Sequence, residues 1–198
     1  MNKRSFIYTY RLLFSLIAAV AIATQLSRSI HYGASISNFF SFFTIESNIL
    51  ALFVFALGST LSGKTWDIIR GGAALYMTTT GLVYIFLLAG LEHSLQTTIP
   101  WVNAVLHYVM PAMVFIDWFI DRPRSHISFK KGLVWLIFPL AYVVYSLIRG
   151  AIVHWYPYPF LDPTEQGYVG VFSTSLVIAP IMTAFVWLFA QASKQKKR

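Results

Sequence analysis

The chain contains no cysteine. Disulfides, thiolate metal sites, iron–sulfur clusters and cysteine nucleophiles are therefore excluded, while the redox state of the compartment is left open. Charge is also scarce. Only 11% of the 198 residues are Asp, Glu, Lys or Arg, and only 7 of those are acidic. A soluble domain of this size needs more polar surface. The sequence has no HExxH pattern. A metal-dependent amidase or esterase drawing on His31, His93, His107 and His154 therefore lacks a ligand motif, and most of these histidines fall between apolar runs. No metal or other cofactor is expected. There is no internal repeat and no low-complexity segment.

What is abundant is apolar. Hydrophobic residues make up 57% of the chain, with a mean hydropathy of +0.64. Six apolar runs, at residues 6–26, 38–61, 68–91, 100–120, 132–153 and 169–190, are each roughly as long as a bilayer core of about 30 Å demands. The expectation is an all-α integral membrane bundle of six transmembrane helices forming a single domain over residues 1–198. The first run follows Lys3 and Arg4, as in a signal peptide. Its apolar core is longer than a usual h-region and no clear small-x-small cleavage site follows, so it reads as a retained helix.

The net charge of +8 follows the loops. With the N-terminus inside, the inner segments hold Lys3, Arg4, Lys64, Arg70, Arg122, Arg124, Lys130, Lys131 and the tail Lys194, Lys196, Lys197 and Arg198. The outer segments hold only Arg28 and Arg149. This asymmetry places both termini in the cytoplasm. The basic residues then meet anionic headgroups rather than nucleic acid. Membrane lipid is the expected partner, and no protein partner is predicted. Outer loops carry His31, Glu92, His93, His154, Asp162 and Glu165. The last of them is rich in proline and aromatics from His154 to Pro163. It reads as an interfacial anchor or as a lid over a pocket opening outward.

Polar residues inside apolar runs carry the functional information. Ser37, Ser41, Thr44 and Asn48 recur at helical spacing and form one stripe. By itself such a stripe serves interhelical hydrogen bonding. Glu46 is rotated about 200° from Thr44; it can pair with Arg28 or stay protonated. In the fourth run Asn103 and His107 share a face, four residues apart. Pro111 has no N–H, so the His107 carbonyl loses its usual partner and the helix loosens there. Thr44 and His107 each lie roughly 8–10 Å below the outer boundary. Tyr76, Thr80 and Tyr84 line one face of the third run, as a close-packing face or a third pocket wall. Arg11 and Asp117, near the inner ends of their runs, are expected to snorkel or pair. Pro139 and Pro180 are further kink sites.

The segments 43–48, 103–107 with Pro111, and 156–160 resemble those of bacterial six-helix membrane proteins related to the androgen-induced protein and the androgen-dependent TFPI-regulating protein. The resemblance spans most of the chain. Its animal members are threonine-dependent membrane hydrolases of fatty acid esters of hydroxy fatty acids. The resemblance implies a nucleophile at Thr44, a histidine role at His107 and a fatty-acyl ester as substrate, in a bacterial cytoplasmic membrane. It departs at Ala104, where the animal pattern has a second histidine, and at Glu46 and Ser47.

The residues allow that chemistry on their own terms. A threonine hydroxyl needs a base, and an imidazole with an intrinsic pKa near 6.5 suits that task. Asn103 is placed to orient the ring and Asn48 to donate to an oxyanion. Arg28 or Arg149 can hold a carboxylate, and Tyr76, Thr80 and Tyr84 can line a substrate pocket. The competing reading is a non-enzymatic protein that binds or transports a lipid or other hydrophobic ligand in the same pocket.

Overall fold

The computed structural model describes residues 2–58, 60–90 and 99–193. Glu92, His93 and the basic tail 194–198 lie outside them. The described residues form helices, with no strand among them. These are α1 (Lys3–His31), α2 (Ile36–Phe40), α3 (Phe43–Leu57), α4 (Lys64–Leu88), α5 (Pro100–Ile120), α6 (Phe129–Val153) and α7 (Pro163–Ala192). Helices α1, α4, α5, α6 and α7 are long and apolar enough to cross a membrane, the make-up of a multi-pass membrane protein.

Side-chain caps fix several starts. Asn2 accepts from the Ser5 N–H at 2.8 Å, and Asp162 from the Thr164 N–H at 2.8 Å with Pro163 in the first turn. Helix α4 is the centre of the bundle. Its run Gly71, Gly72, Ala73, Ala74 lets neighbours approach closely. The Trp135 ring lies against Gly71 where a Cβ would collide, and its Nε1 donates to the Ile68 carbonyl at 2.8 Å. The outer faces of α6 and α7 stay apolar and uncovered. Leu140 is 68% exposed and Val169 79%, as a lipid-facing surface requires.

The second apolar run is not one helix. It breaks at Ser41–Phe42, which leaves α3 with 15 residues, roughly 22 Å, short of a full crossing by itself. A break in an apolar region exposes backbone groups that must find partners. Tyr142 of α6 supplies two, since its hydroxyl donates to the Ser41 carbonyl (2.9 Å) and accepts from the Phe43 N–H (3.2 Å). The expected single stripe is split accordingly. The Ser41 hydroxyl donates to the Ser37 carbonyl and lies 3.1 Å from the Tyr145 hydroxyl on α6. Thr44 and Asn48 turn toward α5 instead.

At the opposite end of the bundle, Asp117 accepts from Arg11 Nε (2.7 Å), Arg11 Nη2 (2.9 Å) and Arg70 Nη2 (3.0 Å), with the Tyr10 hydroxyl also donating to it. Asp121 joins through its carboxylate to Arg11 and its carbonyl to Arg70. Arg11 and Asp117 thus pair rather than snorkel. Arg70 is buried in this network instead of serving as an exposed loop charge. It draws α1, α4 and α5 together.

Candidate functional site

Thr44 stands in the first turn of α3, immediately after the break. The first N–H groups of a helix have no intrahelical acceptor. Here the Thr44 N–H donates to the Tyr158 hydroxyl at 3.2 Å. The Thr44 side chain is buried, and its Oγ1 lies 3.3 Å from His107 Nε2 and 3.3 Å from the Tyr158 hydroxyl. The α3 N-terminus puts its positive dipole end at the same place, which favours developing negative charge there.

His107 lies in a widened turn of α5, Val105–Val109, where the Met110 N–H reaches back five residues to the Val105 carbonyl. Pro111 explains the widening, with an effect shifted by one residue from the expected one. In the five-residue register the carbonyl that would face the proline is that of Leu106. It is taken by Asn48, whose Nδ2 donates to it at 3.1 Å. Helix α4 widens in the same way at Tyr84–Leu88. Such turns recur where a helix must present a side chain out of register. Gly81 lets the two helices meet at this level, because a Cβ there would sit 2.9 Å from the Pro111 Cβ and 3.5 Å from the His107 carbonyl.

The His107 ring is fixed from three sides. Nδ1 faces the Asn103 carbonyl at 3.2 Å, and a carbonyl can only accept. In the neutral ring Nδ1 therefore carries the proton, and the Nε2 lone pair points at Thr44. The Tyr84 ring stacks on the imidazole at 4.1 Å between centroids. The Asn103 side chain donates through Nδ2 to the Tyr84 hydroxyl at 2.5 Å. Asn103 thus contacts the ring through its backbone carbonyl and, through its side chain, the Tyr84 that stacks on it.

Asn48 does not have the role the sequence assigned it. Both amide hydrogens are committed, to the carbonyls of Thr44 (2.8 Å) and Leu106 (3.1 Å), so neither is free for an oxyanion. The pocket-wall candidates separate. Tyr76 is buried against Phe43 and Phe138 and lines neither cavity described below. Thr80 lines the apolar one, and Tyr84 lies beneath His107. Arg28 sits over the Tyr32 ring beside a separate shallow groove. Arg149 donates to Asn38 Oδ1 at 2.6 Å and lies over the Trp155 ring, both at the wall of the polar cavity. Among the described residues no group of three His, Asp or Glu side chains gathers as metal ligands would.

The residue that sequence reasoning missed is Tyr158. It stood within the proline-aromatic loop, read as an anchor or lid. The loop is docked by the Tyr156 ring, which lies on Gly150 where a Cβ would collide. Phe160 stacks parallel to Tyr158 at 5.1 Å. The Tyr158 hydroxyl is buried, and desolvation, aided by the charge of Glu46, pushes its pKa up to about 12 against the lowering pull of the Thr44 hydrogen bonds. It remains a proton donor at any physiological pH.

Two cavities meet at Thr44. One, of about 480 Å³, is partly polar and reaches the loops through Ser35, Asn38, Asp162 and Glu165, with His107 in its wall. The other, of about 350 Å³, is almost wholly apolar and lies between α3, α4, α6 and α7. Thr44, Tyr158 and Leu88 line both.

Compared with protein-family models, with curated proteins and with solved structures, the chain matches none.

Proposed function

We propose that the protein is an intramembrane lipid-ester hydrolase with Thr44 as nucleophile and His107 as general base. The observation that carries this reading is the buried 3.3 Å approach of Thr44 Oγ1 to His107 Nε2, with Nδ1 held on a carbonyl acceptor. That is the arrangement a weak alcohol nucleophile needs: a base in reach and a third group setting its tautomer. In place of Asn48, the Tyr158 hydroxyl acts on the oxyanion, backed by the α3 N-terminus.

The same motifs that resemble the threonine-dependent hydrolases hold these groups, and they point to fatty acid esters of hydroxy fatty acids as substrates. Arg149, which contacts Asn38 and Trp155 of the polar cavity's wall, supplies a positive charge for the free carboxylate of such an ester. The topology that fits has six crossings, with α2 and α3 together making the second. The Arg11–Asp117 end faces the cytoplasm, where Lys3, Arg4, Lys64, Arg122, Arg124, Lys130 and Lys131 cluster, and both chain ends lie on that side. The membrane is the bacterial cytoplasmic membrane.

A broken helix near the middle of a bundle is also a transporter device. Here, however, the Ser41 carbonyl and the Phe43 and Thr44 N–H groups are already saturated by tyrosine hydroxyls. That leaves those groups no vacancy for a cargo and favours the enzyme.

The test is purified protein in detergent or nanodiscs with a long-chain ester and a fluorophosphonate probe. Thr44→Ala is expected to abolish hydrolysis and labelling. His107→Ala is expected to lower the rate by about 10²–10⁴. Full activity in both variants overturns the reading.

A further inference from the structure

The apolar cavity is larger than the chemistry at Thr44 needs, and its walls say what it accepts. Ser175 and Thr79 line it, but their hydroxyls donate to the carbonyls of Val171 (2.8 Å) and Leu75 (2.9 Å) on their own helices. They show carbon to the cavity. Thr44, Thr80 and the Tyr142 and Tyr158 rings also line it, and the remaining wall is aliphatic and aromatic, including Leu140 and Val143 of α6 and Ile178 and Met182 of α7. A polar headgroup would lose its hydration there and find few partners.

The cavity is also open sideways. Beyond Ile137 the backbone of α6 hardly touches that of α7, so the two helices splay around the space between them. Its margin is lipid-facing, since Leu140 is largely exposed and Ala179, a lining residue of α7, is exposed as well. The polar cavity opens elsewhere, among the loops that carry Asp162 and Glu165. Thr44 and Tyr158 stand at the seam.

We propose that the apolar cavity is the acyl-chain site, entered from the bilayer between α6 and α7, and that the alcohol half of the ester lies in the polar cavity and leaves through the loops. The substrate is then an ester of one linear fatty acid with an alcohol that carries a polar group, such as the carboxylate placed near Arg149. The chemistry rests on the hydrolase reading; the occupancy of the cavity does not. Thr44 Oγ1 forms a bond to the acyl carbon as His107 takes its proton. The ester C–O bond breaks, and the proton passes from His107 to the departing alcohol oxygen. Water arriving through the polar cavity gives its proton to His107 and attacks the acyl-threonine. The bond between the acyl carbon and Thr44 Oγ1 then breaks, the proton passes from His107 back to Oγ1, and the free fatty acid withdraws into the lipid.

The test separates occupancy from catalysis. A palmitic acid analogue carrying a diazirine near its methyl end is photolysed with full-length protein in nanodiscs, and labelled peptides are mapped. Labelling is expected on α7 at Ile178 and Met182 in the wild type. It should persist in Thr44→Ala and be lost in Ala179→Trp, which plugs the opening. In parallel, the ratio of palmitoyl to acetyl ester hydrolysis is expected to fall at least about tenfold in Ala179→Trp. Val143→Phe, from the opposite wall, repeats both measurements should the tryptophan variant not fold. Labelling concentrated on residues of the polar cavity, or equally strong with the opening plugged, overturns the acyl site. If Thr44→Ala stays active while the labelling pattern holds, the catalytic reading alone falls.

Discussion

Asn48 Nδ2 donates to the Leu106 carbonyl at 3.1 Å, fastening α3 to α5 one residue from His107. Its other amide hydrogen holds the Thr44 carbonyl. A single side chain thus ties the turn that carries Thr44 to the turn that carries His107. Replacing it by Ala leaves the Leu106 carbonyl buried without this partner, which costs about 1–3 kcal/mol. The dyad also loses its spacer, and a misplacement on the order of 1 Å costs about a hundredfold in rate. The expected outcome for Asn48→Ala is a lower melting temperature in detergent and a fall in kcat with KM little changed. A fall in melting temperature with kcat intact would separate the two roles and remove the second.

Gly81 permits the contact between α4 and α5 behind the histidine. A Cβ there meets the Pro111 Cβ at 2.9 Å, closer than van der Waals contact, and proline cannot swing aside. In Gly81→Ala, α5 must shift, at a cost of about 1–3 kcal/mol. Esterase activity is expected to drop more than in Gly72→Ala, where a Cβ would meet its neighbours no closer than 3.4 Å. Kinetics of the two variants side by side check this; equal activity would mean that the helix contact does not govern the dyad.

Asp117 holds two arginines with both carboxylate oxygens, whereas the side chain of Asp121 is 39% exposed. Removing one member of a buried ion network leaves the others uncompensated, and for Asp117→Asn the expected loss is about 3–5 kcal/mol. Asp121→Asn is expected to cost clearly less, because water and salt already screen that group. Thermal unfolding of the two variants gives the order. The folded fraction of each keeps its esterase activity, since the network lies at the far end of the bundle from Thr44.

The apolar runs are legible in the sequence because bilayer-length hydropathy depends on composition alone. The level of Thr44 with His107 follows from counting residues along two helices that enter from the same end. The break at Ser41–Phe42 is not legible. No glycine or proline marks it, and what makes it tolerable is Tyr142, about a hundred positions away in the chain. The role of Asn48 was misread for a related reason: spacing shows that it shares a face with Thr44, but only the widened turn at Pro111 creates the carbonyl that claims its amide. Tyr158 was hidden by its company, because tyrosine, proline and phenylalanine in an outer loop also compose an interfacial belt.

Two tyrosines cap the start of α3, and only one reaches the Thr44 hydroxyl. Tyr142 binds the Ser41 carbonyl and the Phe43 N–H; Tyr158 binds the Thr44 N–H and lies 3.3 Å from its hydroxyl. Phenylalanine keeps the packing of either ring and removes only the oxygen. Tyr142→Phe is expected to lower stability, by leaving two backbone groups of the break unpaired, with a modest effect on rate. Tyr158→Phe removes a donor that follows charge from the ester carbonyl to the tetrahedral oxyanion. Loss of one such donor costs about 10²–10³ in kcat with KM little changed. Fluorophosphonate labelling should slow in parallel, because the phosphoryl oxygen takes the oxyanion's place. If the two variants lose stability equally and both keep their kcat, Tyr158 is a cap and nothing more, and stabilisation of the oxyanion falls to the α3 dipole alone.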